Sequence, residues 1–217
     1  MQPADDPNID YKKLVQRGYD RCAAAYDQAR RGDSAAELDL LTGHLTPGAH
    51  VLDIGCGAGV PIARALVAQG FRVTGVDISA EQIRRAQKNV PGGYFVQADI
   101  LSVDFPAASF DAAAAFYSIF HLPREEHADL FRRVHRWLRP GGLLLATVSS
   151  AREDAYTEDD FFGVTMYWNS HGIEEYKVIL IDEGFDLLHV GIVGHGYGDE
   201  SDALQEHHPL ILARAGH

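Results

Sequence analysis

Apolar and polar positions along this chain change period several times, and each change marks an element. Between residues 10 and 30, Tyr11, Val15, Tyr19, Cys22 and Tyr26 recur at spacings of four or three, which sets them on one face of a helix. Arg31-Gly32-Asp33 ends that pattern. Ser34-Ala35-Ala36-Glu37 has the form of a capping box, Ser34 as N-cap and Glu37 returning to its amide, and opens a helix expected to run to about Leu45. Thr46-Pro47-Gly48 stops it. His50 to Ile54 is a short apolar strand, followed by glycines and a helix from about Val60 to Gln69. Phe71 to Val76 is a second strand. Ser79 then caps a helix, with Gln82 three residues on. Tyr94 to Ala98 and the alanine-rich Phe110 to Phe116 are the third and fourth strands. Arg124 to Leu138 reads as a helix stopped by Arg139-Pro140-Gly141-Gly142, and Leu143 to Val148 as a fifth strand.

Buried strands alternating with helices at this spacing predict βαβ units, a parallel sheet and right-handed connections. Residues 150–172 interrupt the alternation with a long insertion, aromatic and polar together. Ile173 to Glu183 is helical again. Two last strands, Asp186 to Val193 and Pro209 to Ala213, flank a turn at 194–208 that holds three glycines and three histidines. Strands joined by such a turn predict an antiparallel hairpin at the sheet edge. Residues 1–217 are expected to form a single domain, with N-terminal helices at 10–45.

Composition narrows the partners. Hydrophobic residues make up 46% and charged residues 23%, the balance of a soluble globular protein. No apolar run reaches the length of a membrane span, and the acidic N-terminus has neither the basic nor the apolar region of a secretory signal. The net charge of −12 argues against nucleic acid as a partner. Two cysteines, Cys22 and Cys56, cannot build a disulfide framework, so the reducing cytoplasm is the expected compartment.

The sharpest motif is Val51-Leu52-Asp53-Ile54-Gly55-Cys56-Gly57-Ala58-Gly59. A strand that ends in a glycine turn and opens a helix brings backbone amides close to a ligand. A dinucleotide fingerprint needs Gly-x-Gly-x-x-Gly, but Val60 stands where the third glycine would be. Asp53 at the strand end would repel a pyrophosphate and attract an amine. Both departures point to S-adenosylmethionine. Asp77, taken alone, would also suit a nicotinamide cofactor, because both ligands present ribose hydroxyls.

With this turn, and with acids ending the first three strands, the chain resembles the class I S-adenosylmethionine-dependent methyltransferases over roughly residues 10–214. The resemblance implies an α/β doubly wound, Rossmann-like fold: a seven-stranded, mostly parallel sheet of order 3-2-1-4-5-7-6 with an antiparallel edge hairpin. It implies S-adenosyl-L-methionine as cofactor. Asp53 would bond the methionyl amine, and Gly55, Gly57 and Gly59 would form the turn against the cofactor. Asp77 would take both ribose hydroxyls, Ile78 would lie against the adenine, and Asp99 would accept from the adenine amino group beside Ile100. Phe116, Tyr117 and Ser118 would surround the methionine and the substrate. Family members often fold an N-terminal helix over the cofactor, which would bring Tyr26 to it; core packing accounts equally well for each of Tyr11, Tyr19 and Tyr26.

The acceptor is narrowed by absences. No Asn- or Asp-Pro-Pro-aromatic pattern follows the fourth strand, and neither cysteine lies in a Pro-Cys pair, so DNA-methylating types are disfavoured. The expected reaction is methyl transfer to an oxygen, nitrogen or sulfur of a small molecule. Alternatives are a protein or carrier-bound acceptor, or a binding module without turnover. His121, after the fourth strand, is either a general base or an ordering group for its loop. Phe161 to His171 carries many rings, and Tyr117, Met166, Tyr167 and Trp168 are expected against the acceptor beneath a lid; the other account is sheet-edge core. No metal is expected, because neither His-Glu-x-x-His nor Cys-x-x-Cys is present, although His189, His195 and His207 leave a site conceivable.

Overall fold

The computed structural model describes residues 2–3, 10–29, 34–193 and 208–216. Helix α1 (Tyr11–Ala29) and α2 (Ala35–Thr42) precede β1 (His50–Ile54), α3 (Ile62–Ala68), β2 (Arg72–Asp77), α4 (Ala80–Asn89), β3 (Tyr94–Gln97) and β4 (Phe110–Ala115). Then come α5 (His127–Trp137), β5 (Leu138–Thr147), β6 (Glu153–Phe161), β7 (Val164–Ser170), α6 (Ile173–Asp182), β8 (Phe185–Ile192) and β9 (Pro209–Ala215).

Seven strands form one sheet in the order β3-β2-β1-β4-β5-β9-β8. Strands β1 to β5 are mutually parallel, and β9 runs antiparallel between β5 and β8. Leaving out the inserted β6 and β7, this is the expected order with its antiparallel edge hairpin. The alanines of β4 explain how both faces are covered. Ala112 and Ala114 join the core beneath Leu38, Leu41 and Leu66, while Ala113 and Ala115 join the opposite core with Phe131, Trp137 and Tyr176. Alternate side chains of a central strand point to opposite faces, and small ones let helices approach from both sides.

Several local expectations are corrected. Ser34 has a left-handed backbone (φ 51°) and makes no side-chain cap bond, because capping requires extended backbone at that position; α2 also ends at Thr42, short of Leu45. The Ser79 cap does form, its hydroxyl accepting from Gln82 N at 3.1 Å. Arg139 to Gly142 does not end the element before the fifth strand. It lies inside β5, where the register against β4 slips between Phe110 and Ala112 and Gly141 (φ 78°) supplies the bend.

The insertion is an antiparallel hairpin, not a loop. Phe162 and Gly163, both at positive φ, turn β6 into β7, and Gln2–Pro3 adds to the β6 edge. The hairpin packs on α1, where Val15, Cys22 and Tyr26 meet Val164, Met166 and Tyr167. A Cβ at Gly18 would stand 2.9 Å from Met166 Cε, so the missing side chain sets the helix-to-strand approach. The turn expected at 194–208, and with it the His189, His195 and His207 grouping, falls largely outside the described residues. Among the described residues no group of three potential metal ligands exists, and no helix is long and apolar enough to cross a membrane.

Candidate active site

The carboxyl ends of β1, β2 and β4 face a cleft, where open parallel sheets bind their ligands. The glycine turn shapes it. A Cβ at Gly55 (φ 67°) would lie 2.3 Å from Ser118 Cβ, so this glycine lets the loop after β4 cross the turn, and Ser118 Oγ donates to Ile54 O there. At Gly57 (φ 52°) a Cβ would meet no atom within 4 Å, and the residue lines the cleft. Gly59 does not line it. A Cβ there would meet Val90 Cγ2 at 3.0 Å, so Gly59 packs the turn onto α4. Asp53, only 2% exposed, likewise sits within β1 and is not part of the cleft lining.

Asp77 ends β2 at the cleft. Its Oδ2 accepts from Gly57 N and its Oδ1 from Ser79 N, both at 2.9 Å. Burial pushes its carboxyl up to about 6, against the lowering effect of those two amides and with help from the nearby Asp20 charge. Asp99 Oδ1 caps the turn at Leu101 N (3.0 Å), and its Oδ2 takes the ammonium of Lys12 at 2.9 Å; Lys12 also reaches Glu126 at 2.7 Å. Ile78, Ile100 and Phe116 add apolar wall. Helix α1 closes the cleft with Lys12, Val15, Tyr19 and Tyr26, tied down further by Asp20, which accepts from Ser79 Oγ and Glu81 N.

A second cavity adjoins the first. Tyr19, Tyr26, Tyr117 and His121 line both. The hairpin contributes Glu153, Tyr156, Glu158, Phe161, Phe162 and Trp168, and the sheet side contributes Phe120, Ser149, Ser150 and His208. Tyr117 stands at the junction in a left-handed conformation (φ 55°), its N–H donating to Thr147 Oγ1 at 2.6 Å. His121 is 7% exposed. Its Nδ1 lies 2.9 Å from the Tyr167 carbonyl, which can only accept, so Nδ1 carries the proton and Nε2 accepts from the Tyr19 hydroxyl at 2.7 Å. Burial pushes the imidazole down to about 4, so it is neutral at pH 7.

Of the residues expected at the acceptor, Tyr117 and Trp168 line the second cavity, with the Trp168 ring 4.4 Å from that of His121. Met166 and Tyr167 line neither cavity. Met166 is fully buried against α1, and Tyr167 stacks on Tyr11 at 4.4 Å, its hydroxyl accepting from Asn169 Nδ2. Packing against a helix, not contact with a ligand, explains these two side chains.

The family model described as a methyltransferase domain matches residues 51–142, from β1 into β5. The 27-O-demethylrifamycin SV methyltransferase of Amycolatopsis mediterranei is 34% identical over 154 residues, covering 60% of this chain and 56% of that protein. Residues 51–142 are thus similar to the methyltransferase-domain family. The phosphoethanolamine N-methyltransferase of Plasmodium falciparum is 31% identical over 147 residues, 66% of this chain and 53% of that protein. The chain thus spans about half the length of these curated relatives. Among solved structures, the Burkholderia thailandensis 1,6-didemethyltoxoflavin-N1-methyltransferase with bound 1,6-didemethyltoxoflavin and S-adenosylhomocysteine shares the fold at TM-score 0.75 and 21% identity, over 99% of this chain and 94% of that one.

The structure places residues at this site that sequence patterns do not single out as contacts. Lys12 and Gln82 line the first cleft, and Phe120, Tyr156, Glu153, Glu158 and His208 the second. Gln82 is 1% exposed, and its Oε1 has no hydrogen-bond partner among the described residues. By its position three residues into α4 it reads only as a partner of the Ser79 cap. Tyr19 reads only as a member of a helical face, because its partner His121 is 102 residues away.

Proposed function

We propose that this chain binds S-adenosyl-L-methionine in the first cleft and transfers its methyl group to an oxygen, nitrogen or sulfur atom of a small molecule held in the second cavity. The observation that carries this reading is the shared wall: the hydrogen-bonded Tyr19 and His121 face both cavities. The residues present fit the cofactor. The Asp77 carboxylate keeps lone pairs for a diol beyond its two amide bonds, Gln82 Oε1 is a buried acceptor on the cleft wall, and the Cβ position of Gly57 is open. Ile78 and Ile100 offer apolar faces for a base, and Asp99 a carboxylate beside them.

When bound, the cofactor supplies a methyl carbon activated by a positively charged sulfur. The protein's part is alignment and proton handling. For an acceptor that carries a proton, Tyr19 Oη takes it while passing its own to His121 Nε2, and the Tyr167 carbonyl bears the Nδ1–H of the imidazolium that results. Burial that keeps His121 neutral also makes it a weak base. The relay therefore suits acceptors that lose their proton as the new bond forms. The aromatic hairpin and α1 shield the junction from water.

Phe161, Phe162 and Trp168 wall the second cavity without filling it, which favours a catalyst over a binding module. The test is incubation with methyl-labelled cofactor and a panel of phenols, thiols and amines, with products read by mass. Labelled product from any of these supports the reading; no transfer to any of them, by protein that binds the cofactor, favours the module.

A further inference from the structure

We infer that the acceptor is an aryl-alkyl amine, cationic at neutral pH, held by the ring faces of the second cavity with its ammonium toward Glu153 and Glu158. This rests on the functional reading above and names its substrate class.

Ten of the fourteen residues lining the cavity carry rings. They stand in more than one plane: Phe161 is nearly perpendicular to Trp168 (80°, centroids 5.3 Å apart) and to Phe162 (84°, 4.8 Å). Walls at right angles make a box that presents aromatic surface on several sides. Such a box binds flat rings by stacking and edge contact, and cations through the negative ring faces. The charged groups of the lining are Glu153 and Glu158, and no Lys or Arg lines the cavity among the described residues. Of the guanidinium groups nearby, Arg124 pairs with Asp154 at 3.0 Å and donates to the Glu153 carbonyl at 3.3 Å, and Arg152 pairs with Glu175 at 2.9 Å. The net charge of −12 draws cations toward the protein and repels anions. An anionic acceptor would find no counter-charge in this lining.

Three indole probes of like ring and different charge test this: tryptamine (cation), tryptophol (neutral) and indole-3-acetate (anion). Each is titrated calorimetrically into protein saturated with S-adenosylhomocysteine, and again without it. Tryptamine should bind roughly ten-fold or more tightly than indole-3-acetate, with tryptophol between them. In the double variant E153Q/E158Q, both positions exposed at the cavity rim, that advantage should disappear while affinity for S-adenosylhomocysteine stays the same. Equal or tighter binding of indole-3-acetate would overturn the proposal. So would an advantage that survives in the double variant, or protein that binds S-adenosylhomocysteine and none of the three probes. Failure to bind S-adenosylhomocysteine would contradict the cofactor reading instead, and the titrations without it would still rank the three charges.

Discussion

The Tyr19 hydroxyl lies 2.7 Å from Nε2 of His121, joining the N-terminal helix to the turn after the fourth strand. Because Nδ1 is committed to the Tyr167 carbonyl, the imidazole presents its lone pair to that hydroxyl and to no other described group. The sequence alone leaves His121 either a general base or an ordering group for its loop. In the structure the Tyr19 hydroxyl takes the imidazole's free nitrogen, and the proposed relay treats the two rings as a unit.

Tyr19→Phe keeps the ring and removes the hydroxyl, so the relay loses its first member. Methyl transfer to a phenol should fall roughly 10²-fold or more, with affinity for S-adenosylhomocysteine unchanged. His121→Gln should give a loss of similar size, and the double variant little more than either, since residues that act as a unit are not additive. Rates measured beside calorimetric titrations check this. A folded Tyr19→Phe variant with the wild-type rate would remove the relay.

Affinity for the cofactor should depend on pH through Asp77. Its carboxyl is raised to about 6 in the free protein, and a carboxylate accepts ribose hydroxyls better than a carboxylic acid does. Binding favours the ionised form, so affinity should rise as pH rises through about 6 and level off above it. Asp77→Ala should cost ten-fold or more, since a bond to a charged group contributes roughly 1.5–3 kcal/mol. S-adenosylhomocysteine titrations between about pH 5 and 8 read both effects; a flat profile for the wild type would exclude Asp77 as the ribose group.

The two cleft glycines should fail differently when substituted. Gly55→Ala drives a methyl group into Ser118 and should lower the melting temperature. Gly57→Ala meets no protein atom, although its positive φ adds strain of about 1 kcal/mol. It should fold and lose cofactor affinity, because the new methyl projects where the ligand passes. Thermal denaturation with and without S-adenosylhomocysteine separates the two.

Met166 and Trp168 occupy the same strand with different surroundings. Met166→Ala empties a fully buried position against Gly18 and should cost about 2–5 kcal/mol in stability while leaving acceptor KM alone. Trp168→Ala should weaken acceptor binding more than cofactor binding, because its ring lines the second cavity. Equal losses of both ligands in the tryptophan variant would favour a purely packing role.

Much of this architecture is legible in the chain. Strands buried on both faces read as apolar runs, and the turn at Gly55 to Gly59 marks the cleft, because those features are local. The hairpin is not legible. Glu153 to Asp160 carries five acids, which resemble a solvated loop, and the segment becomes a strand only through pairing with β7 and the packing of β7 on α1. Gly59 follows the motif in spacing, yet which glycine meets a ligand and which meets Val90 depends on where α4 lies. The junction itself is hidden for the same reason. Tyr19, His121 and the Tyr167 carbonyl come from three separate elements, and only tertiary packing sets them within hydrogen-bond distance.

A crystal structure of the complex with S-adenosylhomocysteine tests the central claim most directly. The ligand should lie along the first cleft, with its ribose hydroxyls in hydrogen-bond reach of Asp77, its base between Ile78 and Ile100, and its sulfur turned toward the junction at Tyr19 and Tyr117. A ligand whose sulfur points away from the second cavity, or whose ribose makes no contact with Asp77, would contradict the account.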